Sequence, residues 1–188
     1  MYNVYQDTIV ITNRFLVNGD FLEQIKKVTS LHPYALILRE RDLEDAAYAG
    51  LARQIASICE NQNVSFFVHS KAELALNFGY EKIHMPIRLL ENNPHFVKEF
   101  KQVSVSCHSL EEVQKAMELH ASQIILGTIF KTDCKKGLEG KGLVFLEEAC
   151  QHCNIPVYAI GGIQLERIPE LKKKGAAGGC MMSGFMRL

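Results

Sequence analysis

A (β/α)8 barrel, the TIM-barrel class of α/β fold, is the architecture this sequence predicts, on three observations. Short β-branched or apolar runs occur eight times along the chain. Amphipathic stretches with apolar residues at three- and four-residue steps lie between them. Strand–helix alternation in turn implies a parallel sheet, because parallel neighbours need crossover connections. A doubly wound open sheet is the competing class. It would usually carry G-x-G-x-x-G after its first strand, whereas Ile11-Thr12-Asn13-Arg14-Phe15 contains no glycine.

The strands are expected at Thr8–Thr12, Ala35–Arg39, Ser65–Val68, Lys82–His84, Val103–Ser106, Gln123–Leu126, Val157–Ile160 and Gly178–Met182. Phe21, Leu22, Ile25 and Val28 mark one helical face, and Leu51, Ile55, Ile58 and Cys59 another. Ser109-Leu110-Glu111-Glu112 has the S-x-x-E form of a capping box, so a helix should start there. Leu143–Cys150 reads as a further helix. After the eighth strand only Ser183–Leu188 remain, too few for a full final helix. That helix is expected to be truncated, or a partner subunit, as in a homodimer, covers the apolar surface.

The length of 188 residues suits a single domain spanning 1–188 with a sizeable core. Acidic and basic residues number 21 each, so global charge draws the chain to neither nucleic acid nor a membrane. No apolar run approaches the roughly 18 residues of a membrane span. The N-terminus lacks the basic region and long apolar stretch of a signal peptide, and a cytoplasmic location is expected. Of six cysteines, Cys150 and Cys153 form a C-x-x-C at a helix end with no second pair, which reads as reduced thiols rather than a zinc or redox site.

In barrels of this class the chemistry sits in the loops after the strands. The longest is Gly127–Gly142, GTIFKTDCKKGLEGKG, with four glycines and four lysines. It reads either as a mobile cationic loop that closes over an anion or as a solvated surface loop. Gly161 and Gly162 follow strand seven and Ser183 follows strand eight, where barrels often bind phosphate. Glycines there let backbone N–H groups approach phosphate oxygens, although a plain tight turn has the same composition. Arg39 and Arg41 share strand parity and suit bidentate capture of phosphate or carboxylate, or else form surface ion pairs with Glu40, Asp42 and Glu44. His84 and His108 stand at strand ends, and histidine moves protons near neutral pH. Cys107, beside His108, points to the opposite face and is a poor nucleophile candidate.

Four pieces in order carry a family resemblance: Leu38–Glu44 (LRERDLE), Ser106–Glu112 (SCHSLEE), Gly127–Thr132 (GTIFKT) and Pro156–Ile163 (PVYAIGGI). Over almost its whole length the chain resembles the thiamin phosphate synthase/TenI family. The resemblance implies a (β/α)8 barrel that binds thiazole phosphate and, in the synthases, an aminopyrimidine diphosphate. By that resemblance Arg39 faces a diphosphate and Arg41 stands where synthases usually have lysine. Ser106 and His108 match the family S-x-H, and His84 the strand-four histidine. Thr132 and Lys135 match a threonine and the lysine of the phosphate loop, and Gly161, Gly162 and Ser183 the thiazole-phosphate cradle. Synthases place Mg2+ with Asn-Asp after strand three, where His69-Ser70 stand here, and with a second aspartate near Arg88-Leu89, where Glu91 is the nearest acid. The loop text resembles the TenI branch, whose thiazole tautomerases need no metal. In that branch a histidine commonly occupies the position of Thr128, which the resemblance sets with Ser106 and Thr132 among the substrate- and phosphate-binding residues. The resemblance therefore implies a TenI-like thiazole tautomerase without cofactor, with thiamin phosphate synthase using Mg2+ and a non-catalytic metabolite binder as alternatives.

Overall fold

The computed structural model describes residues 2–132 and 139–188, and its eight parallel strands close into a barrel in sequence order. They are β1 (Thr8–Ile11), β2 (Ala35–Leu38), β3 (Ser65–His69), β4 (Lys82–Pro86), β5 (Gln102–Cys107), β6 (Gln123–Gly127), β7 (Val157–Ile160) and β8 (Gly178–Met181). Closure comes from β1 pairing with β8, Ile9 opposite Cys180. Every predicted strand is present, with ends shifted by at most two residues. Thr12 lies just beyond β1, where its hydroxyl donates to Glu40 and accepts from the Arg39 N–H.

The helices are α1 (Phe21–Thr29), α2 (Asp45–Asn61), α3 (Ala72–Asn77), α4 (Ile87–Asn92), α5 (Phe96–Glu99), α6 (Leu110–Glu118), α7 (Gly142–Gln151), α8 (Ile168–Lys173) and α9 (Ser183–Met186). Capping by side chains sets two of these starts. The Asp20 carboxylate accepts the Glu23 N–H at the head of α1, and the Ser109 hydroxyl accepts the Glu112 N–H at the head of α6. The Glu112 carboxylate returns to the N–H of His108, one residue earlier than a capping box requires. On α2 the buried stripe is Tyr48, Ala52, Ile55 and Cys59, so Leu51 and Ile58 of the predicted face are only half-buried. The final helix, α9, is a single turn, yet it seats Phe185 and Met186 in the core. Gln24 of α1 donates to the Phe185 carbonyl at 2.6 Å, tying α9 to the first helix.

Strand alternation divides the apolar residues into two clusters. One lies between strands and helices, including Val10, Leu36, Val68, Ile83, Val105, Leu126 and Ala159. The other fills the barrel interior with Ile9, Ile11, Ala35, Ile37, Phe67, Ile125, Tyr158 and Cys180. The interior is apolar only in part. On β3 to β6 the inward positions carry His69, His84, Ser104, Ser106 and Gln123, the first three and the last of them buried. Among the described residues no helix is long and apolar enough to cross a membrane.

Candidate functional site

Because all strands run the same way, the residues that end or follow them gather at one mouth of the barrel. Arg39 follows β2, His69 ends β3, Ser106 nears the end of β5, Thr128 follows β6, Gly161 and Gly162 follow β7, and Ser183 opens α9 after β8. The sequence reading placed these residues together, and the barrel brings them to the same end. Lys135 falls among residues 133–138, outside the described residues. Thr132, described and half-buried, stands at the near edge of that segment.

The stem of the long loop is tied by backbone hydrogen bonds. The Lys141 N–H donates to the Thr128 carbonyl and the Gly142 N–H to the Ile129 carbonyl, each at 2.9 Å. The Ile129 and Phe130 N–H groups donate to the carbonyls of Ile160 and Gly161, so the stem leans on the end of β7. That contact explains both glycines. Gly161 has φ +102°, and a Cβ there would lie 2.4 Å from Thr128 Cγ2. Gly162 has φ +63°, and its Cβ would lie 2.6 Å from the Lys131 carbonyl oxygen. The pair thus serves the joint between loop and strand. Thr128 is buried in that joint, 8% exposed.

Two of the acids beside Arg39 and Arg41, Glu40 and Asp42, pair with Arg14, three residues beyond β1. Its Nη1 lies 3.0 Å from Glu40 Oε2 and 2.7 Å from Asp42 Oδ1, and its backbone N–H also donates to Glu40. Glu40 is only 2% exposed, and the Thr12 hydroxyl completes its partners at 2.7 Å. The positive charge of Arg39 and Arg41 is felt at His69. Burial first, then Arg39 and Arg41, lower the His69 imidazole to a pKa of about 4. Tyr48 braces this corner, its hydroxyl donating to the Leu38 carbonyl and accepting the His69 N–H. Glu40, Arg41, Tyr48, His69, Ser70, Lys71 and Pro86 line a cavity of about 310 Å³. The Ser70 hydroxyl there is buried without a hydrogen-bond partner among the described residues.

His84 and His108, the two candidate proton carriers, occupy different settings. His84 is 3% exposed, and both ring nitrogens are engaged: Nδ1 with Ser104 Oγ and Nε2 with Ser106 Oγ, each at 2.8 Å. Burial, then His69 and Arg39, hold it well below the ordinary histidine range, so it is neutral. Toward the mouth, His84 meets Ser106 by hydrogen bond and His69 by ring contact at 5.6 Å. His108 is half-exposed, its Nδ1 3.4 Å from the Glu112 carboxylate, and its carbonyl accepts the Lys141 ammonium. Cys107 is sealed against the helical layer, and burial pushes its thiol up, which removes it as a nucleophile. Cys150 and Cys153 are half-buried free thiols.

Sequence reasoning collected Arg14 among the strand ends without a role, and missed Tyr48, Gln123 and Ser104. Ser104 had a legible signal. Gln102-Val103-Ser104-Val105-Ser106-Cys107 alternates polar with apolar, which in a strand covered by helices puts the polar set inside the barrel.

No group of three or more His, Cys, Asp or Glu among the described residues could hold a metal ion. At the end of β3 the donors are His69, Ser70 and Lys71, an imidazole, a hydroxyl and a cation rather than the carboxylates that magnesium takes. Glu91 lies exposed on α4.

Comparison with known proteins agrees with the barrel fold. The family model TMP-TENI, described as thiamine monophosphate synthase, matches residues 8–185. A protein of Aquifex aeolicus provisionally named thiamine-phosphate synthase 2 is 31% identical over 182 residues, covering 94% of this chain and 95% of its own. A thiamine-phosphate synthase of Clostridium tetani is 28% identical over 180 residues, covering 94% and 86%. Among solved structures, a thiamine phosphate pyrophosphorylase from Pyrococcus furiosus superposes with a TM-score of 0.79 at 24% identity, over 97% of this chain and 89% of that one.

Proposed function

Since the chain belongs to the thiamine monophosphate synthase/TenI family, we propose that it binds a phosphorylated thiazole at the barrel mouth and aromatises it as a TenI-like thiazole tautomerase. The observation that carries this reading is the donor set after β3. Departure of a diphosphate would need a hard cation held by carboxylates, and His69, Ser70 and Lys71 do not fit magnesium. A proton shift within one ring needs no leaving group and no metal.

The substrate of that reaction has two anionic ends. Gly161, Gly162 and Ser183, with Thr132 and Lys135 from the loop, would take the phosphate. Arg39 and Arg41 would take the carboxylate and spread the charge that develops when the ring loses its proton. His108, half-exposed beside Glu112, is the proton carrier in this reading. Ser106, held from behind by His84, gives the ligand a fixed hydroxyl. Thr128, buried in the loop joint, is a packing residue at the position where a tautomerase usually has histidine.

The second reading is thiamin phosphate synthase, and the names of the curated relatives favour it. One experiment separates the two. The pure protein is assayed with thiazole carboxylate phosphate and, separately, with thiazole phosphate plus aminopyrimidine diphosphate, each with magnesium and with chelator. Tautomerase turnover that persists in chelator is the expected result. Turnover only of the synthase pair, and only with magnesium, would establish the second reading. Tight binding of thiazole phosphate with neither activity would leave a metabolite-binding protein.

A further inference from the structure

Five polar side chains in the barrel, Tyr34, Gln123, Ser104, His84 and Ser106, form one connected chain of hydrogen bonds. Register sets three of them side by side: His84 opposite Ser104, and Ser104 opposite Gln123. Starting from the end of the barrel remote from the mouth, the Tyr34 hydroxyl donates to Gln123 Oε1 at 3.3 Å. The Gln123 amide Nε2 donates to Ser104 Oγ at 3.3 Å. Ser104 Oγ meets His84 Nδ1 at 2.8 Å, and His84 Nε2 meets Ser106 Oγ at 2.8 Å. Ser104, His84 and Gln123 are between 0% and 3% exposed, so water does not take over any of these links. Barrel interiors are ordinarily filled by bulky branched side chains, and a buried polar chain in their place costs stability unless each member is satisfied.

The chain has a direction. A carboxamide oxygen only accepts and its nitrogen only donates. With Tyr34 donating to the oxygen, the Gln123 nitrogen must face Ser104, and Ser104 Oγ accepts its hydrogen bond. The Ser104 hydroxyl then gives its own hydrogen to the remaining partner, His84 Nδ1. A neutral imidazole carries one N–H, and the partner of one nitrogen decides which. His84 therefore holds its hydrogen on Nε2 and donates it to Ser106. Having accepted from His84, Ser106 has its own hydrogen left to turn toward the mouth.

We infer that Gln123, a positioning residue on the barrel floor, fixes the tautomer of His84 and so makes Ser106 a hydrogen-bond donor to an anionic oxygen of the ligand. This is the reverse of a serine–histidine pair built for nucleophilic attack, in which the serine gives its hydrogen to the ring. The site consequently selects an acceptor group at this position, such as a carboxylate or phosphate oxygen, and disfavours a donor group. The assignment of an acceptor-bearing ligand rests on the reading in the preceding subsection; the tautomer does not.

Ring-labelled histidine and long-range proton–nitrogen correlation read the tautomer in the ligand-free protein. The expected spectrum has a pyridine-type Nδ1 and a pyrrole-type Nε2 for His84, and Gln123→Met or Ser104→Ala removes that single assignment. The Ser104 variant carries the test alone if the Gln123 variant does not fold. A pyrrole-type Nδ1 in the parent protein would overturn the inference, and so would a pattern that both variants leave unchanged. For the ligand, Ser106→Ala should weaken binding of thiazole carboxylate phosphate at least about tenfold, the worth of a hydrogen bond to a charged group. Gln123→Met added to Ser106→Ala should cost nothing further in binding, because both act through one hydroxyl. Independent losses would contradict that coupling. A silent enzyme assay alongside an Nε2–H His84 would count against the proposed activity and not against the tautomer.

Discussion

Glu40 shows how the mouth is held open and in shape by single residues. It is a buried carboxylate with a hydroxyl, a backbone N–H and a guanidinium all turned onto it. Removing one member of such a group strands the others in a dry setting, which is more damaging than never having built it. Glu40→Ala should therefore lower stability by about 3 kcal/mol, read as a shift in the urea midpoint. A change within about 0.5 kcal/mol would show that the ion pair with Arg14 contributes nothing. His69 makes a second residue-scale prediction. Its folded pKa of about 4 lies below the unfolded value near 6.5, so between those pH values the unfolded chain binds a proton that the native state refuses. Its contribution is fully present above pH 6.5 and is lost as pH falls toward 4, a change on the order of 3 kcal/mol. His84, also depressed, adds to the same slope. His69→Asn should flatten stability against pH across this window; an unchanged slope would show that His69 is not held neutral by its surroundings.

At the scale of elements, the loop after β6 and the bend after β7 form one joint. Gly161→Ala would drive a methyl into Thr128 at an already left-handed backbone position, with an expected cost of about 2 kcal/mol and a displaced stem. Thr128→Ser takes away the Cγ2 atom that the methyl meets, so it should return part of that loss in the double variant. Strict additivity would place the strain elsewhere. The single turn of α9 is the other element with a clear consequence. Phe185 is fully buried there, and Phe185→Ala should cost about 3–5 kcal/mol, comparable to a core aromatic in any larger helix. A loss below about 1 kcal/mol would show that α9 is an ornament rather than part of the barrel seal.

Across the whole molecule, the strands were legible because they are apolar runs bounded by turn residues. All eight fall where the sequence put them. The order of Arg39, Ser106, Gly161 and Ser183 along the chain was legible as one site because a parallel barrel leaves no other place for strand ends to go. Partnerships were less readable. Arg14 lies 26 residues from Glu40, and nothing in Leu38–Glu44 reveals that a distant arginine pairs with both Glu40 and Asp42, or that the charge of Arg39 and Arg41 is felt at His69. The exposure of His108 against the sealing of His84 also depends on where β4 and β5 end relative to each other, a matter of register rather than composition. The alternation in Gln102–Cys107 was a signal available in the sequence, since a strand with helices on its outer face has only the barrel interior for serine and glutamine.

The central claim is that one mouth grips an anionic thiazole by both ends, and a co-crystal structure with thiazole carboxylate phosphate tests it most directly. The account expects the carboxylate beside Arg39 and Ser106, and the phosphate over Gly161, Gly162 and Ser183. Density for the ligand at the opposite end of the barrel, or on the outer helices with the mouth unchanged, would contradict it.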